Sequence, residues 1–263
     1  MQKIGKTEID SFCETAIKHR ASANFFGAPE KLYGYAKQGN LYIAQSKAGV
    51  FVLADAGGFF RLYYALSGPE ADMPAEICEN ALPVVTETAY RGDLFLPSAG
   101  FFARRGFERA LTRSRMERKT QAAAHRPPEP DAAKREADPE AVLDLFNASF
   151  DRCTGCIPSL PELQKASSEG RLITEAQSGG LCGALLYEEA GNVSSLSNLA
   201  VAQNMRGRGF GDWLMGLWTA RSGKAGKAVL RLWVSDENAA AIKLYQKHGF
   251  KPDGLKSCVF MKK

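Results

Sequence analysis

At 263 residues the chain holds one large domain or two of ordinary size, and its 45% hydrophobic and 24% charged content permits a sizeable core. No stretch approaches the roughly 20 apolar residues of a membrane span, and the polar opening MQKIGKTEIDSF lacks an apolar export segment, so the expectation is a cytoplasmic protein without a membrane partner. A net charge of +5 suits a polyphosphate ligand but is too small to call for nucleic acid, and six scattered cysteines read as reduced thiols.

In chain order, Leu41 to Gln45 and Val50 to Ala54 read as strands. The turn Asp55-Ala56-Gly57-Gly58 follows, then a further strand over Phe59 to Leu66. Near residue 106 the segment FFARRGFERALTRSRMER resembles LYQKHGFKPDGLKSCVFMKK at the C-terminus. Superposing Gly106-Phe107 on Gly249-Phe250 sets Phe102 opposite Tyr245, the mark of a diverged internal duplication. Lys119 to Asp138 is rich in Ala, Pro and charge, with the stiff run Arg126-Pro127-Pro128-Glu129-Pro130. Such a segment cannot contribute to a core and reads as a spacer. The division expected is therefore 1–118, a linker over 119–137, and 138–263.

Asp138-Pro139-Glu140 is a helix start, with Asp as N-cap and Pro at the first turn; Leu143, Phe146 and Phe150 then recur at helical spacing. A loop over Cys153 to Pro158 leads to a short helix at Pro161 to Ser168. Strands follow at Leu172 to Ala176, Leu181 to Glu188 and Val193 to Ala202, the last two joined by Glu189-Ala190-Gly191-Asn192. Gly211 to Arg221 reads as a helix, Ala228 to Val234 as a strand, and Asn238 to His248 as a helix closed by Gly249. Two strand-like pieces, near Lys251 and over Cys258 to Met261, end the chain. The order is a mixed α/β pattern, a meander feeding a βαβ unit.

The chemistry concentrates at Leu199-Ala200-Val201-Ala202-Gln203-Asn204-Met205-Arg206-Gly207-Arg208-Gly209-Phe210-Gly211. An apolar strand runs into a basic turn with glycine at every second position, and a helix starts at once. Glycines let successive N–H groups converge on one concavity, the helix N-terminus adds partial positive charge, and Arg206 and Arg208 add donors. The product is a cradle for a pyrophosphate. It is not the nucleoside-triphosphate loop, since no Lys-Ser or Lys-Thr follows, nor the dinucleotide G-x-G-x-x-G fingerprint.

Here the sequence resembles the GNAT superfamily of acyl-CoA-dependent N-acetyltransferases. The first resemblance is Arg206, Gly209 and Gly211 behind Leu199-Ala200-Val201; the second is Asn238 opening a helix that runs through Tyr245 to Gly249-Phe250. It covers about Asp138 to Lys263. It implies a mixed, mostly antiparallel twisted sheet flanked by helices, and the internal duplication makes two tandem copies the expectation. It also implies an acetyl-CoA donor, an amine acceptor (a small molecule or peptide) and no metal. By the same resemblance the backbone of Leu199, Ala200 and Val201 pairs with the pantetheine arm. The amides of Arg206, Gly207, Arg208, Gly209, Phe210 and Gly211 hold the pyrophosphate, Asn238 bonds the pantetheine region, and Tyr245 protonates the leaving thiolate. A non-catalytic acyl-CoA sensor is the alternative, because Ser194 to Asn198 contains no carboxylate to serve as base. Glu175, Glu188, Asp236 and a water chain through Ser197 or Asn198 all stay open for that role.

Cys153-Thr154-Gly155-Cys156 lacks the second ligand pair a zinc site needs, and reads as a loop beside the acceptor. His19, His125 and His248 read as surface residues, and Trp213 and Trp218 as packing. In the first half the cradle is missing: Ser67-Gly68-Pro69-Glu70-Ala71-Asp72-Met73 places two acids where arginines are needed, and Phe102 lacks a hydroxyl. The expectation there is a degenerate copy that binds no CoA. Acceptor identity and the choice between monomer and homodimer do not follow from the sequence.

Overall fold

The structure, a computed structural model, describes residues 1–19, 23–25, 29–47, 49–67, 72–92, 97–120, 138–177 and 180–263. The spacer from 121 to 137, with His125, and residues 68–71 of the acidic turn lie outside the described residues. The chain forms two compact units: residues 1–112 with 255–263, and residues 113–254.

The first unit opens with β1 (Gln2–Lys3), α1 (Lys6–Lys18) and α2 (Glu30–Lys37). In α1, Ile9, Phe12 and Ala16 fall on one face and are buried. An antiparallel meander follows, β2 (Leu41–Ser46), β3 (Gly49–Asp55) and β4 (Phe60–Leu66). After the short α3 (Ala75–Cys78), β5 (Val84–Arg91) runs parallel to β4 over two rungs, Phe60↔Val84 and Arg61↔Val85. Helix α4 (Pro97–Ala103) leads into β6 (Glu108–Lys119). Phe102 is fully buried, in ring contact with Tyr64, Phe101, Phe107 and Phe260.

The second unit repeats the order. Helices α5 (Pro139–Ser149) and α6 (Leu160–Ser168) precede the meander β7 (Leu172–Gln177), β8 (Gly180–Ala190) and β9 (Val193–Val201). The Asp138 carboxylate accepts the Glu140 N–H at 3.1 Å, and Ser159 with Glu162 forms a capping box on α6. After α7 (Phe210–Lys224), β10 (Val229–Ser235) runs parallel to β9; α8 (Ala239–Lys247) and β11 (Lys251–Lys262) complete the chain. One face of this sheet packs Leu185, Leu196, Leu230 and Leu232 under α7 and α8; the other packs Ala184, Leu186 and Ala200 under α5 and α6. Each unit is thus a mixed, mostly antiparallel sheet flanked by helices, as the sequence led us to expect.

The units do not divide at the spacer. Residues 113–119 of β6 pair antiparallel with β10, from Arg113↔Ser235 to Lys119↔Val229, and belong to the second unit. Residues 255–262 of β11 pair with β5, from Leu255↔Arg91 to Lys262↔Val84, and belong to the first. Lys119, read from composition as linker, is therefore the last rung of a strand. Its ladder partners are more than a hundred residues away, and composition cannot see them. The two pieces expected at the C-terminus are one continuous strand.

Candidate functional site

The site begins where β9 and β10 part. Their parallel ladder runs from Val229↔Val193 to Leu232↔Leu196 and stops. Beyond Leu196 the β10 side of β9 has no strand partner among the described residues. On its other side β9 stays paired with β8, but the register shifts between Leu186↔Asn198 and Tyr187↔Leu196, so Ser197 is an extra residue, a β-bulge.

The bulge flips side-chain parity. Ser194 and Leu196 face α7, and Ser194 Oγ accepts the Trp218 indole N–H at 2.9 Å. After the extra residue, Leu199 rejoins that face, while Asn198 and Ala200 turn to the α5–α6 side. The sequence carried a trace of this: Leu196 and Leu199 are three apart, which breaks a period of two.

Backbone direction alternates too. The Ala202 N–H bonds to the Cys182 carbonyl on β8 at 2.9 Å, so Leu199 and Val201 direct N–H and C=O toward the open edge. Ala200, the middle member of the expected trio, turns its backbone to β8. At the strand end the open edge meets the glycine-spaced turn. Gln203–Met205 makes one 3-10 turn; Gly207 and Gly209 then adopt φ of 75° and 86°, and Gly209 is the N-cap of α7. Both positive φ values suit glycine, and a Cβ on either would meet no atom within 4 Å, so the turn is open on its outer side. Gly211 serves packing instead: a Cβ there would lie 3.2 Å from Leu244, so its absence lets α7 start against α8.

Among the basic residues, Arg206 folds back, its Nε donating to the Val201 carbonyl at 3.2 Å, and Arg208 is exposed. Phe210 is the half-buried first residue of α7. In its first turn, Asp212 bonds His248 Nε2 and Lys247 Nζ, each at 2.9 Å. His248, expected at the surface, has a side chain only 15% exposed, because Asp212 and α7 hold it against the protein. This contact was not legible: its partners lie 36 residues apart.

On α8, Asn238 caps its own helix, its Oδ1 accepting the Ala241 N–H at 3.0 Å, which leaves Nδ2 as its donor. Tyr245 is 6% exposed, and burial pushes its phenol up to about 12. Trp218 stacks on Phe250, and Trp213 donates to Glu175 at 3.0 Å. That bond engages one of the carboxylates considered as base. Glu188 pairs with Arg171 at 2.7 Å, on a rung opposite Ser195 before the split begins, and Asp236 accepts from Ser114 at 2.7 Å.

On the α5–α6 face, Asp151 gathers the loop, accepting from the Cys153 and Thr154 N–H groups and the Thr154 hydroxyl. These bonds, the Thr154 N–H foremost, hold its carboxyl below the usual range. Arg113 donates to the Thr154 carbonyl, and Asn198 Nδ2 to the Gly155 carbonyl at 3.4 Å, which ties the loop to β9. Cys153 and Cys156 are not joined by a disulfide.

The donor set fits an acyl-CoA: a free strand edge for the amide-bearing arm, then an open, glycine-built turn at a helix N-terminus for the phosphates. Comparison with known proteins agrees with the architecture. Residues 168–252 match the acetyltransferase (GNAT) domain model. A tandem GNAT protein from the clavulanic acid biosynthesis pathway superposes with a TM-score of 0.64 at 12% identity, covering 100% of this chain and 96% of that one. A GCN5-related N-acetyltransferase from Sphaerobacter thermophilus gives 0.60 at 14% identity, over 97% and 91%. An acetyltransferase of the GNAT family from Colwellia psychrerythraea gives 0.56 at 14%, over 99% and 98%. At these identities the solved structures speak for the fold. No curated protein matches the chain in sequence. Residues 168–252 thus match a GNAT acetyltransferase domain, and the fold of the chain is that of a tandem GNAT protein. No helix among the described residues is long and apolar enough to cross a membrane.

Proposed function

We propose that the second unit transfers an acetyl group from acetyl-CoA to an amine by direct attack within a ternary complex. The observation that carries the reading is the edge of Leu199 and Val201 beyond the last β10 rung, which runs straight into the turn at Gly207 and Gly209; among the described residues only the Val201 carbonyl on it is engaged, by Arg206. When bound, the donor supplies an activated carbonyl and a thiolate leaving group. The N–H groups of Leu199 and Val201 bond the pantetheine arm and polarise the carbonyl, at no reorganisation cost because the strand already fixes them. Backbone amides from Arg206 to Gly211 and the α7 N-terminus hold the pyrophosphate.

Tyr245 holds its proton throughout the physiological range, since its phenol lies at about 12. An ordinary thiol titrates near about 8.5, so complete transfer from the phenol would run uphill. Tyr245 therefore acts as a hydrogen-bond donor to the charge developing on sulfur, and passes its proton on only as the phenol regains one from the water that takes the amine proton. Glu175, Glu188 and Asp236 are all engaged elsewhere, so water at the split beside Ser197 and Asn198 accepts the amine proton. The acceptor enters from the α5–α6 face, beside the loop at Cys153–Cys156.

Calorimetric titration with acetyl-CoA tests the reading. We expect micromolar binding to the wild type, lost in the Arg206→Glu, Gly209→Glu variant. Absence of binding to the wild type would overturn it, and binding without thiol release across an amine panel would leave a sensor.

A further inference from the structure

Trp233 is 38% exposed, one of the few large apolar side chains at the surface among the described residues. Its position in the ladder makes that exposure informative. The last rung between the parting strands is Leu232↔Leu196, so Trp233 is the first β10 residue beyond it. Leu230, Leu232 and Val234 point into the core under α7 and α8; alternation turns Trp233 to the opposite, α5–α6 face.

Asn198 faces the same side from β9, two residues beyond the same rung. It is 4% exposed, and its side chain donates from Nδ2 to the Gly155 carbonyl. Its Oδ1 takes no part in that bond and is available as an acceptor at the split. The two residues therefore flank the mouth of the split on the face opposite Tyr245.

We infer that Trp233 and Asn198 form the acceptor clamp, selecting primary amines carried on a flat aromatic body. This inference rests on the acetyltransferase reading of the site and names its substrate class. Asn198 Oδ1 accepts one N–H of the neutral amine and aims the nitrogen lone pair at the carbonyl carbon. The new C–N bond forms as the C–S bond breaks. The bonding pair of the thioester goes to sulfur, the amine's surplus proton leaves to water, and the sulfur gains its proton through Tyr245, whose phenol is reprotonated from that water. The indole of Trp233 packs against the aromatic body, an offset or edge contact that a short aliphatic amine cannot make.

The test compares 2-phenylethylamine with ethylamine as acceptors of acetyl-CoA, read by thiol release, for the wild type and three variants. Trp233→Ala should raise the KM for 2-phenylethylamine about tenfold, with kcat and the KM for ethylamine little changed. Trp233→Phe should restore most of the preference. Asn198→Ala should lower kcat with both amines while leaving their KM ratio intact. Acetyl-CoA affinity, measured by calorimetry, should stay at the wild-type value in all three, which also reports that they fold. An unchanged KM ratio in Trp233→Ala, or no thiol release from 2-phenylethylamine by a wild type that binds acetyl-CoA, overturns the clamp alone. A wild type that does not bind acetyl-CoA overturns the acetyltransferase reading beneath it.

Discussion

The two units carry the same strand split and treat it in opposite ways. In the second, β9 and β10 part after Leu196↔Leu232, and the third residue beyond, Leu199, offers its backbone to the opening. In the first, β4 and β5 part after Arg61↔Val85, and the third residue beyond is Tyr64. There the opening is filled by the chain itself. Ala23 bridges Ala65; the Asn24 N–H donates to the Tyr64 carbonyl at 3.2 Å, and Asn24 Oδ1 accepts the Tyr64 N–H at 2.7 Å. Asn24 Nδ2 reaches across to Leu62 on one strand and to Thr86 and Glu87 on the other, at 3.1, 3.0 and 3.1 Å. Groups that would bond an acyl donor's arm in one unit are thus satisfied internally in the other. A parted pair of strands is only an invitation; whether it becomes a binding site depends on what else can satisfy its backbone.

The largest effect should come from removing the open site of the second unit. If the first split is closed, acetyl-CoA binds with a stoichiometry of one per chain. Arg206→Glu with Gly209→Glu then abolishes binding altogether, a loss of at least about 100-fold. Two charges are reversed or added at the phosphate turn, and a side chain is forced to positive φ. A stoichiometry of two, or a residual site in the variant, would break the contrast between the units. Next in size is Tyr245→Phe, which should lower kcat by about 100-fold with acetyl-CoA affinity unchanged. The contrast sharpens here, because the first unit already holds phenylalanine at the corresponding Phe102, buried in an aromatic cluster. An unchanged kcat would remove Tyr245 from the mechanism.

The sequence made the second unit far more legible than the first. Gly207 and Gly209 stand at positive φ, as glycines at alternate positions before a helix suggest, and α7 and α8 begin within a residue of where their caps place them. Such features are local, written in consecutive residues. What escaped is non-local. Asn24 meets partners 38 to 63 residues away, and nothing in Ala23-Asn24-Phe25 announces a plug. Lys119 looks like spacer until Val229 pairs with it. In α1 the spacing of Ile9, Phe12 and Ala16 is helical, but a Lys-Thr-Glu start and a weak apolar face dilute the pattern.

Asn24→Ala tests the plug itself and should have a smaller effect. It removes three donated bonds and one accepted bond at a part-buried position. Some of the carbonyls keep other partners, since Thr86 also donates to Leu62 at 2.9 Å. We expect a loss of about 2 kcal/mol, read as a lower thermal midpoint for the first unit's transition. No second acetyl-CoA site should appear, because the segment after β4 lacks the glycine-spaced basic turn. A midpoint equal to the wild type's would show that the strands close without the plug.

The smallest effect is a pH dependence confined to the second unit. Superposing Gly106 on Gly249 sets Arg105 where the second unit has His248. Arg105 bonds the Phe101 carbonyl at 2.9 Å and lies 3.9 Å from the Phe101 ring centroid. His248 can lose its charge. Burial, foremost, lowers its pKa from 6.5; Arg118 and Lys247 act in the same direction, while the Asp212 bond opposes them. The folded state therefore binds the proton less readily than the unfolded chain does. The resulting stabilisation is fully present above the ordinary value of 6.5 and is lost as pH falls from there through the lowered folded value. Between pH 7.5 and 5 the thermal midpoint of the wild type should consequently fall more than that of His248→Gln, which keeps a donor for Asp212 but does not titrate. A wild type that instead gains on the variant as the solution is acidified would mean that the Asp212 pair outweighs burial. The turn joining α8 to β11 would then hold its histidine as a cation, as the first unit holds Arg105.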